Sequence, residues 1–216
     1  MSFELASGAE ARWTGEPGRR AVVCVNGGTA AEVPGTWSAS VEWLVRGLAR
    51  RFPALGFLEV RYRVKSWQRL ELCVEDGAAA IDAARAAGAE ELALLAFSMG
   101  GAVAVRNAGA NGVQLVAGVN PWLPPQLDLA GLRGRRLAIV HGALDAPFPG
   151  IPGVKPSMSD AAARQARTLG ADVERRVIPL AFHAVALRRR DGGMLALPGA
   201  ARYGDFVAGE VDRFCA

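Results

Sequence analysis

Short apolar runs alternate with amphipathic segments along almost the whole chain. The runs have the length and the leucine or β-branched content that is typical of buried strands. Between them, apolar residues recur three or four positions apart, as they do on one face of a helix. The predicted strands are residues 21–25, 56–64, 92–97, 115–119, 137–140 and 173–180, and the predicted helices are 38–52, 75–87, 100–109, 159–170 and about 200–214.

Residues that favour helix ends agree with this division of the chain. Ser38 or Ser40 is placed to cap the first long helix, Ser159 to cap the fourth, and Gly170 to end it. Because strands and helices alternate throughout, we expect an α/β fold of three layers, with a mostly parallel central sheet between two layers of helices. The chain has no internal repeat, linker or break in composition, so residues 1–216 are expected to form a single domain.

The composition argues against several classes of protein. Of the 216 residues, 51% are hydrophobic and 21% are charged, which is ordinary for a globular protein. No apolar run approaches the length that crosses a bilayer, and the N-terminus lacks the pattern of a secretory signal. We therefore expect a cytoplasmic protein that does not bind membranes. Cys24, Cys73 and Cys215 form no CxxC pair and are expected to be reduced, structural thiols.

The net charge of +4 raises the question of a nucleic-acid partner. The arginines are spread along the chain, and the only dense run, residues 188–190, has no nucleic-acid-binding motif around it. A solvated surface explains this run, and we expect no nucleic acid as partner. The run precedes a DGG turn signal between two apolar segments, which indicates a hairpin. In the alternative interpretation, this hairpin is a flap whose arginines contact an anionic substrate.

A single hydroxyl group, that of Ser98, lies where the strand 92–97 meets a glycine-rich helix. Residues 96–101 (AFSMGG) match the small-x-Ser-x-Gly pattern of a nucleophile elbow, with Ala96 in place of the commoner glycine. In such a turn the serine oxygen is exposed, and the helix N-terminus offers N–H groups to a developing negative charge. The alternative is that Ser98 only caps the helix.

A serine nucleophile needs a base, and the base needs an acid that orients it. Of the two histidines, His183 follows the strand 173–180, and Asp145 follows the strand 137–140. The order Ser98, Asp145, His183 is that of α/β-hydrolase enzymes, and each residue comes just after a predicted strand. Asp128 and Asp160 compete with Asp145 as the acid, although both are placed to begin helices.

With these residues the chain resembles the α/β-hydrolase superfamily, in particular small lidless serine esterases similar to the dienelactone hydrolases. Residues 141–145 (HGALD) resemble the sequence motif that supplies the acid in this family, and in that motif His141 would be structural. Residues 25–30 (VNGGTA) occupy the position of the family's HGG-type oxyanion-hole motif, with Asn26 where histidine is usual. The resemblance implies an oxyanion hole made by the N–H of Met99 and that of Gly28 or Thr29. Dienelactone hydrolases use a cysteine nucleophile, so their own reaction is not implied for Ser98.

The expected function is the hydrolysis of small or medium carboxylic esters through an acyl-enzyme. The segment between the strands 115–119 and 137–140 is too short for a cap domain, which leaves an open site. Four apolar residues in loops at the catalytic edge are placed either to line an acyl pocket or to close the core: Trp122, Leu123, Phe148 and Ile151. No metal or other cofactor is expected, and the chain is expected to be a monomer or a homodimer. A thioesterase, a non-catalytic protein of the same fold and a polyanion-binding protein remain as alternatives.

Overall fold

The computed structural model describes residues 1–146 and 153–216 and is built around an eight-stranded sheet. The order of strands across the sheet is β1-β2-β5-β3-β7-β8-β9-β10. In chain order, with two further short pairs included, the strands are β1 (Ser2–Glu4), β2 (Glu10–Thr14), β3 (Arg20–Val25), β4 (Val33–Pro34), β5 (Gly56–Arg61), β6 (Val64–Lys65), β7 (Glu91–Phe97), β8 (Val113–Val119), β9 (Arg136–Gly142), β10 (Asp172–Ile178), β11 (Ala186–Arg188) and β12 (Met194–Ala196).

The sheet is mostly parallel, as the sequence predicts. Strands β5, β3, β7, β8, β9 and β10 pair in parallel, and β1 and β2 join antiparallel at one edge. The helices of the described residues are α1 (Ala39–Arg51), α2 (Leu70–Ala86), α3 (Gly100–Asn107), α4 (Pro156–Thr168) and α5 (Ala200–Cys215).

Helices cover both faces of the sheet and bury its side chains in two cores. Along β3, Val23 faces the core beneath α2, α3 and α4, while Val22 and Cys24 face the core beneath α1 and α5. This alternation follows from the two-residue period of a strand and explains why the central strands are apolar throughout. The three-layer arrangement is therefore confirmed. The segment between β8 and β9 is a loop with one short 3-10 turn (Ala130–Leu132), so no cap domain is inserted there.

Three local features differ from the sequence-based prediction. The N-terminal hairpin β1–β2 is absent from the prediction, because its short strands lack a continuous apolar run. Helix α2 begins at Leu70, five residues before the predicted start. The predicted cap at Ser159 is wrong, since Pro156 begins α4 and Ser159 lies inside it, where its hydroxyl donates to the carbonyl of Pro156. Ser38 does cap α1, by accepting a hydrogen bond from the N–H of Val41.

The three cysteines are unpaired in the described structure. Cys24 and Cys73 are buried, and Cys215 is half-buried. Burial raises the pKa of Cys24, and it raises the pKa of Cys73 to about 11. Both thiols are consequently protonated at neutral pH and pack as small apolar side chains.

The predicted hairpin after residue 183 is present as the antiparallel pair β11–β12. It packs against α1, and the hydroxyl of Ser40 accepts hydrogen bonds from the N–H groups of Val185 and Ala186. A second small sheet pairs β4 with β6 near the carboxyl ends of β3 and β5. Among the described residues, no helix combines the length and the apolar character needed to span a bilayer.

Candidate active site

Ser98 lies in a strained turn between β7 and α3. Its φ angle is +55°, in the left-handed region that L-residues other than glycine rarely adopt. The turn is held by the carbonyl of Ser98, which accepts hydrogen bonds from Gly101 N at 2.9 Å and Trp122 N at 2.7 Å. A Cβ atom on Gly100 would lie 2.6 Å from the carbonyl oxygen of Val25, so only glycine fits at that position. The turn is therefore built to present the Ser98 hydroxyl at the carboxyl edge of the sheet.

His183 contacts both Ser98 and Asp145 across the loops at this edge. Its Nε2 atom lies 2.9 Å from the Oγ of Ser98, and its Nδ1 atom lies 2.8 Å from the Oδ2 of Asp145. With Nδ1 protonated and donating to the carboxylate, Nε2 is free to accept the hydroxyl proton of Ser98. The ring of Phe97 packs beside the imidazole with a centroid distance of 5.2 Å. The structure thus brings together the three residues that the sequence singled out.

Asp145 is almost fully buried but has three hydrogen-bond donors. Burial by itself would raise its pKa, yet hydrogen bonds from His141, His183 and the N–H of Val154 hold the pKa of Asp145 below its ordinary value. The Nε2 atom of His141 lies 3.0 Å from Asp145 Oδ2, and Val154 N lies 2.8 Å from Oδ1. Asp145 is therefore ionised at neutral pH and fixed in orientation.

His141 lies in the interior behind Asp145 and is not exposed to the cavity. It is completely buried, and its Nε2 atom also lies 2.8 Å from the carbonyl of Val154. Its Nδ1 atom has no hydrogen-bond partner among the described residues. An Nε2–H tautomer fits these contacts, because it donates to the carbonyl and the carboxylate and leaves Nδ1 without a proton.

Sequence reasoning missed a buried polar cluster behind His183, formed by Asn120 and Tyr203. The side-chain amide of Asn120 donates to the backbone carbonyls of Phe182 and His183, and its Oδ1 accepts from Gly142 N at 2.8 Å. The Tyr203 hydroxyl lies 3.1 Å from Asn120 Oδ1 and 2.8 Å from the carbonyl of Phe182. Asn120 has a positive φ of 46° and is fully buried. The cluster ties the histidine loop to the end of β9, which leads to Asp145.

Ser98 and His183 line an open cavity of about 280 Å³. Its described lining has no carboxylate side chain. The lining residues are Asn26, Gly27, Gly28, Thr36, Trp37, Ser38, Ala39, Lys65, Phe97, Ser98, His183 and Ala184. Ser98 and His183 therefore meet a space that is accessible to a small ligand.

Gly28 lines this cavity with Ser98, whereas Thr29 does not. A Cβ atom on Gly28 would lie 2.2 Å from the sulfur of Met99, so the loop passes closely over the start of α3. Thr29 pairs instead with Ser66 in an isolated bridge, and its carbonyl accepts a hydrogen bond from Trp67 N at 3.0 Å. Of the two predicted donors, Gly28 has the better position for an oxyanion contact. In the described residues, the N–H groups of Gly28 and Met99 have no hydrogen-bond acceptor.

Of the four predicted acyl-pocket residues, the two that the structure describes, Trp122 and Leu123, are not part of this cavity's lining. Leu123 is only 2% exposed and belongs to the core beneath α2, α3 and α4, so the prediction that it lines the pocket is wrong. Trp122 packs beside the same core and stacks on Trp67 with a centroid distance of 6.4 Å, and neither tryptophan is part of the cavity lining. Phe148 and Ile151 lie outside the described residues.

The two other candidates for the catalytic acid, Asp128 and Asp160, do not contact His183 in the described structure. Asp128 is exposed and accepts a hydrogen bond from Ala130 N, and Asp160 pairs with Arg164 and Arg175. The arginines 188–190 do not line the cavity, and Arg188 pairs with Glu42 on α1. The structure therefore offers no support for the flap interpretation of these arginines.

No group of three or more histidine, cysteine or acidic side chains suited to a metal ion occurs in residues 1–146 and 153–216.

Comparison with known proteins gives matches by structure. No family model matches the sequence, and no curated protein matches it by sequence. An α/β hydrolase from a Medee basin deep-sea metagenome library has a TM-score of 0.73 at 16% identity, covering 99% of this chain and 97% of that one. An α/β serine hydrolase homologue from Coxiella burnetii has a TM-score of 0.67 at 17% identity, covering 100% and 96%.

A third match also has no cap domain. It is an α/β serine hydrolase without a lid from Xanthomonas campestris, with a TM-score of 0.65 at 16% identity, covering 99% of this chain and 91% of that one. The matches extend over almost the full length of both partners. At these identities they show the fold, and the chain accordingly has the α/β-hydrolase fold without a cap.

Proposed function

We propose that this chain is a serine hydrolase that cleaves carboxylic esters of small or medium size through an acyl-enzyme. The observation that carries the proposal is the hydrogen-bonded sequence Ser98–His183–Asp145, with distances of 2.9 Å and 2.8 Å, at the wall of an open cavity. A serine that only capped a helix would need neither the positive φ nor the histidine. The structural neighbours named as serine hydrolases support the same chemistry.

In the proposed mechanism, His183 takes the proton of Ser98 while the serine oxygen attacks the ester carbonyl. The carbonyl oxygen becomes an oxyanion near the N–H groups of Met99 and Gly28, each of which contributes a few kcal/mol, as oxyanion donors typically do. Ionised Asp145 stabilises the protonated imidazole. The imidazole then gives its proton to the leaving alcohol, and Ser98 holds the acyl group as an ester.

The second half of the reaction uses the same residues in reverse. His183 takes a proton from water, the resulting nucleophile attacks the acyl-enzyme, and the acid leaves as the proton returns to Ser98. The absence of a cap leaves the cavity open to water, which this step needs. Apart from the ester and water, every group that takes part in these steps is a side chain or a backbone N–H group of this chain.

The size of the cavity leads to an expected order of substrates. Its volume of about 280 Å³ lies at the low end of small-molecule sites, so short acyl groups should fit best. With p-nitrophenyl acetate, butyrate and octanoate, we expect no increase in kcat/KM from butyrate to octanoate, because the additional methylene groups stay in water, whereas a cavity that buried them would gain about 0.8 kcal/mol for each.

The assay must follow many turnovers, because activated esters also acylate surface amines once. The same preparation, unfolded and assayed in parallel, gives the background. A folded protein that does not turn over any of the three esters would contradict the proposed function. A matched thioester of butyrate, measured beside the oxygen ester, tests the thioesterase alternative.

A further inference from the structure

The cavity beside Ser98 contains a cation that the proposed mechanism does not use. Apart from the histidine, Lys65 is the only titratable side chain among the described residues that line it. Residues 147–152, which lie outside the described part, have no ionisable side chain. Lys65 is thus the one fixed charge that a bound ester meets in the described cavity.

The ammonium group of Lys65 is held in place but not neutralised. Its Nζ atom donates to the hydroxyl of Thr36 at 2.7 Å, and Thr36 lines the same cavity. No ion pair of Lys65 occurs in the described residues, whereas its neighbours Arg61 and Arg63 pair with Glu10 and Asp76. An ammonium group has three donors, and at least one is free for a ligand.

Strand β6 fixes the position of Lys65 relative to the reacting groups. Lys65 pairs with Val33 of β4, and the next residue, Ser66, forms the bridge with Thr29. The segment that carries the ammonium is therefore attached to the loop that carries Gly28. Gly28 and Lys65 therefore line the same cavity from connected segments.

Another part of the lining is suited to the uncharged part of a ligand. The ring of Trp37 lines the cavity, and the guanidinium groups of Arg12 and Arg61 lie 4.3 Å and 5.9 Å from its centroid. These contacts hold the indole in place. The described lining thus combines an apolar side chain, one lysine and no carboxylate, and such a lining selects an anion with an apolar body.

We propose that the preferred substrate is an ester that has a negatively charged group, such as a carboxylate, within reach of Lys65. The inference rests on the proposed hydrolysis and adds the charge class of its substrate. An ammonium and a carboxylate in contact at a partly solvated site attract each other strongly enough for an effect on the order of tenfold or more in kcat/KM. Salt screening should reduce this preference.

The test uses two matched pairs of esters, because the anion can lie on either half of the substrate. One pair is 4-acetoxybenzoate and its methyl ester, with the charge on the alcohol half. The other is mono-(4-nitrophenyl) adipate and its methyl ester, with the charge on the acyl half. For each pair, the ratio of kcat/KM for the anionic to the neutral ester is measured in the wild type, Lys65→Met and Lys65→Arg.

We expect Lys65→Met to lower this ratio by about tenfold or more in at least one pair and Lys65→Arg to retain most of it. The matched control is Arg133→Met, which removes one positive charge from an exposed position. Arg133 lies just before the start of β9, whereas the cavity lies where the parallel strands end. It should leave both ratios as in the wild type. At 0.5 M salt the ratio should fall in the wild type and not in Lys65→Met.

An unchanged ratio for Lys65→Met in both pairs would overturn the inference. The proposed function would survive that result, since hydrolysis of the neutral esters tests it separately. If no ester is turned over, calorimetric titration with adipate and with dimethyl adipate still decides the inference. Lys65-dependent binding of the dianion supports it, and equal binding by the wild type and Lys65→Met overturns it.

Discussion

Replacement of Ser98 by alanine is expected to lower kcat/KM for p-nitrophenyl butyrate by a factor of ~10⁴ or more, because removal of a triad nucleophile usually costs that much. The residual rate would come from the oxyanion contacts and from binding alone. The variant should fold normally, since it loses one hydroxyl and keeps the backbone of the turn. Circular dichroism and the free energy of unfolding check the fold, and steady-state kinetics check the rate.

The matched control for this variant is Ser159→Ala. Ser159 is also a buried serine, but its hydroxyl contacts the carbonyl of Pro156 inside α4 and lies outside the cavity lining. Its kcat/KM should stay within about twofold of the wild-type value, as is usual for changes away from a site. A Ser98→Ala variant that retains a tenth of the wild-type activity would exclude Ser98 as the nucleophile.

Removal of the Asn120 side-chain amide is expected to lower both the free energy of unfolding and the activity. Asn120→Gly keeps the positive φ but removes every side-chain contact that Asn120 makes in the buried cluster. The N–H of Gly142 and the carbonyl of His183 would lose a partner, and each buried polar group left unpaired costs about 1–3 kcal/mol. We expect the free energy of unfolding to fall by about 3–5 kcal/mol.

The activity of Asn120→Gly should fall together with its stability, because the loop of His183 loses the hydrogen bonds through Asn120 that connect it to the end of β9. We expect kcat to decrease by about 10- to 100-fold with little change in KM, since a shift of about 1 Å in a catalytic group can cost that much. Asn107→Ala is the control. That asparagine donates to the carbonyls of Val74 and Val103 on α2 and α3, so its loss should lower stability and leave kcat unchanged. Equal losses of kcat in both variants would argue against a positioning role for Asn120.

The sequence predicts the layers of this fold because each central strand is apolar throughout and each helix has one apolar face. It also predicts where Ser98, Asp145 and His183 lie, since parallel strands bring the residues after their carboxyl ends to the same edge. These predictions use short-range patterns and a general rule of topology. They need no knowledge of which side chains touch.

The features that the sequence does not reveal depend on contacts between distant segments. Asn120 meets groups 22 to 83 residues away in the chain, and no local pattern marks such a residue as a hub. Leu123 illustrates the same limit, because an apolar residue in a loop at the catalytic edge lines a pocket or fills the core according to how the loop packs. Lys65 ends an amphipathic stretch, and only the pairing of β4 with β6 brings it to the cavity.

The central claim is that His183 activates Ser98, and the reaction of the protein with a fluorophosphonate tests it most directly. The intact mass should show one adduct for each wild-type chain, peptide mapping should place it on Ser98, and esterase activity should fall in proportion. His183→Ala, which keeps the serine but removes the base, should react at least about 100-fold more slowly. A folded wild-type protein that stays unmodified, or that labels as fast without His183, would contradict the claim.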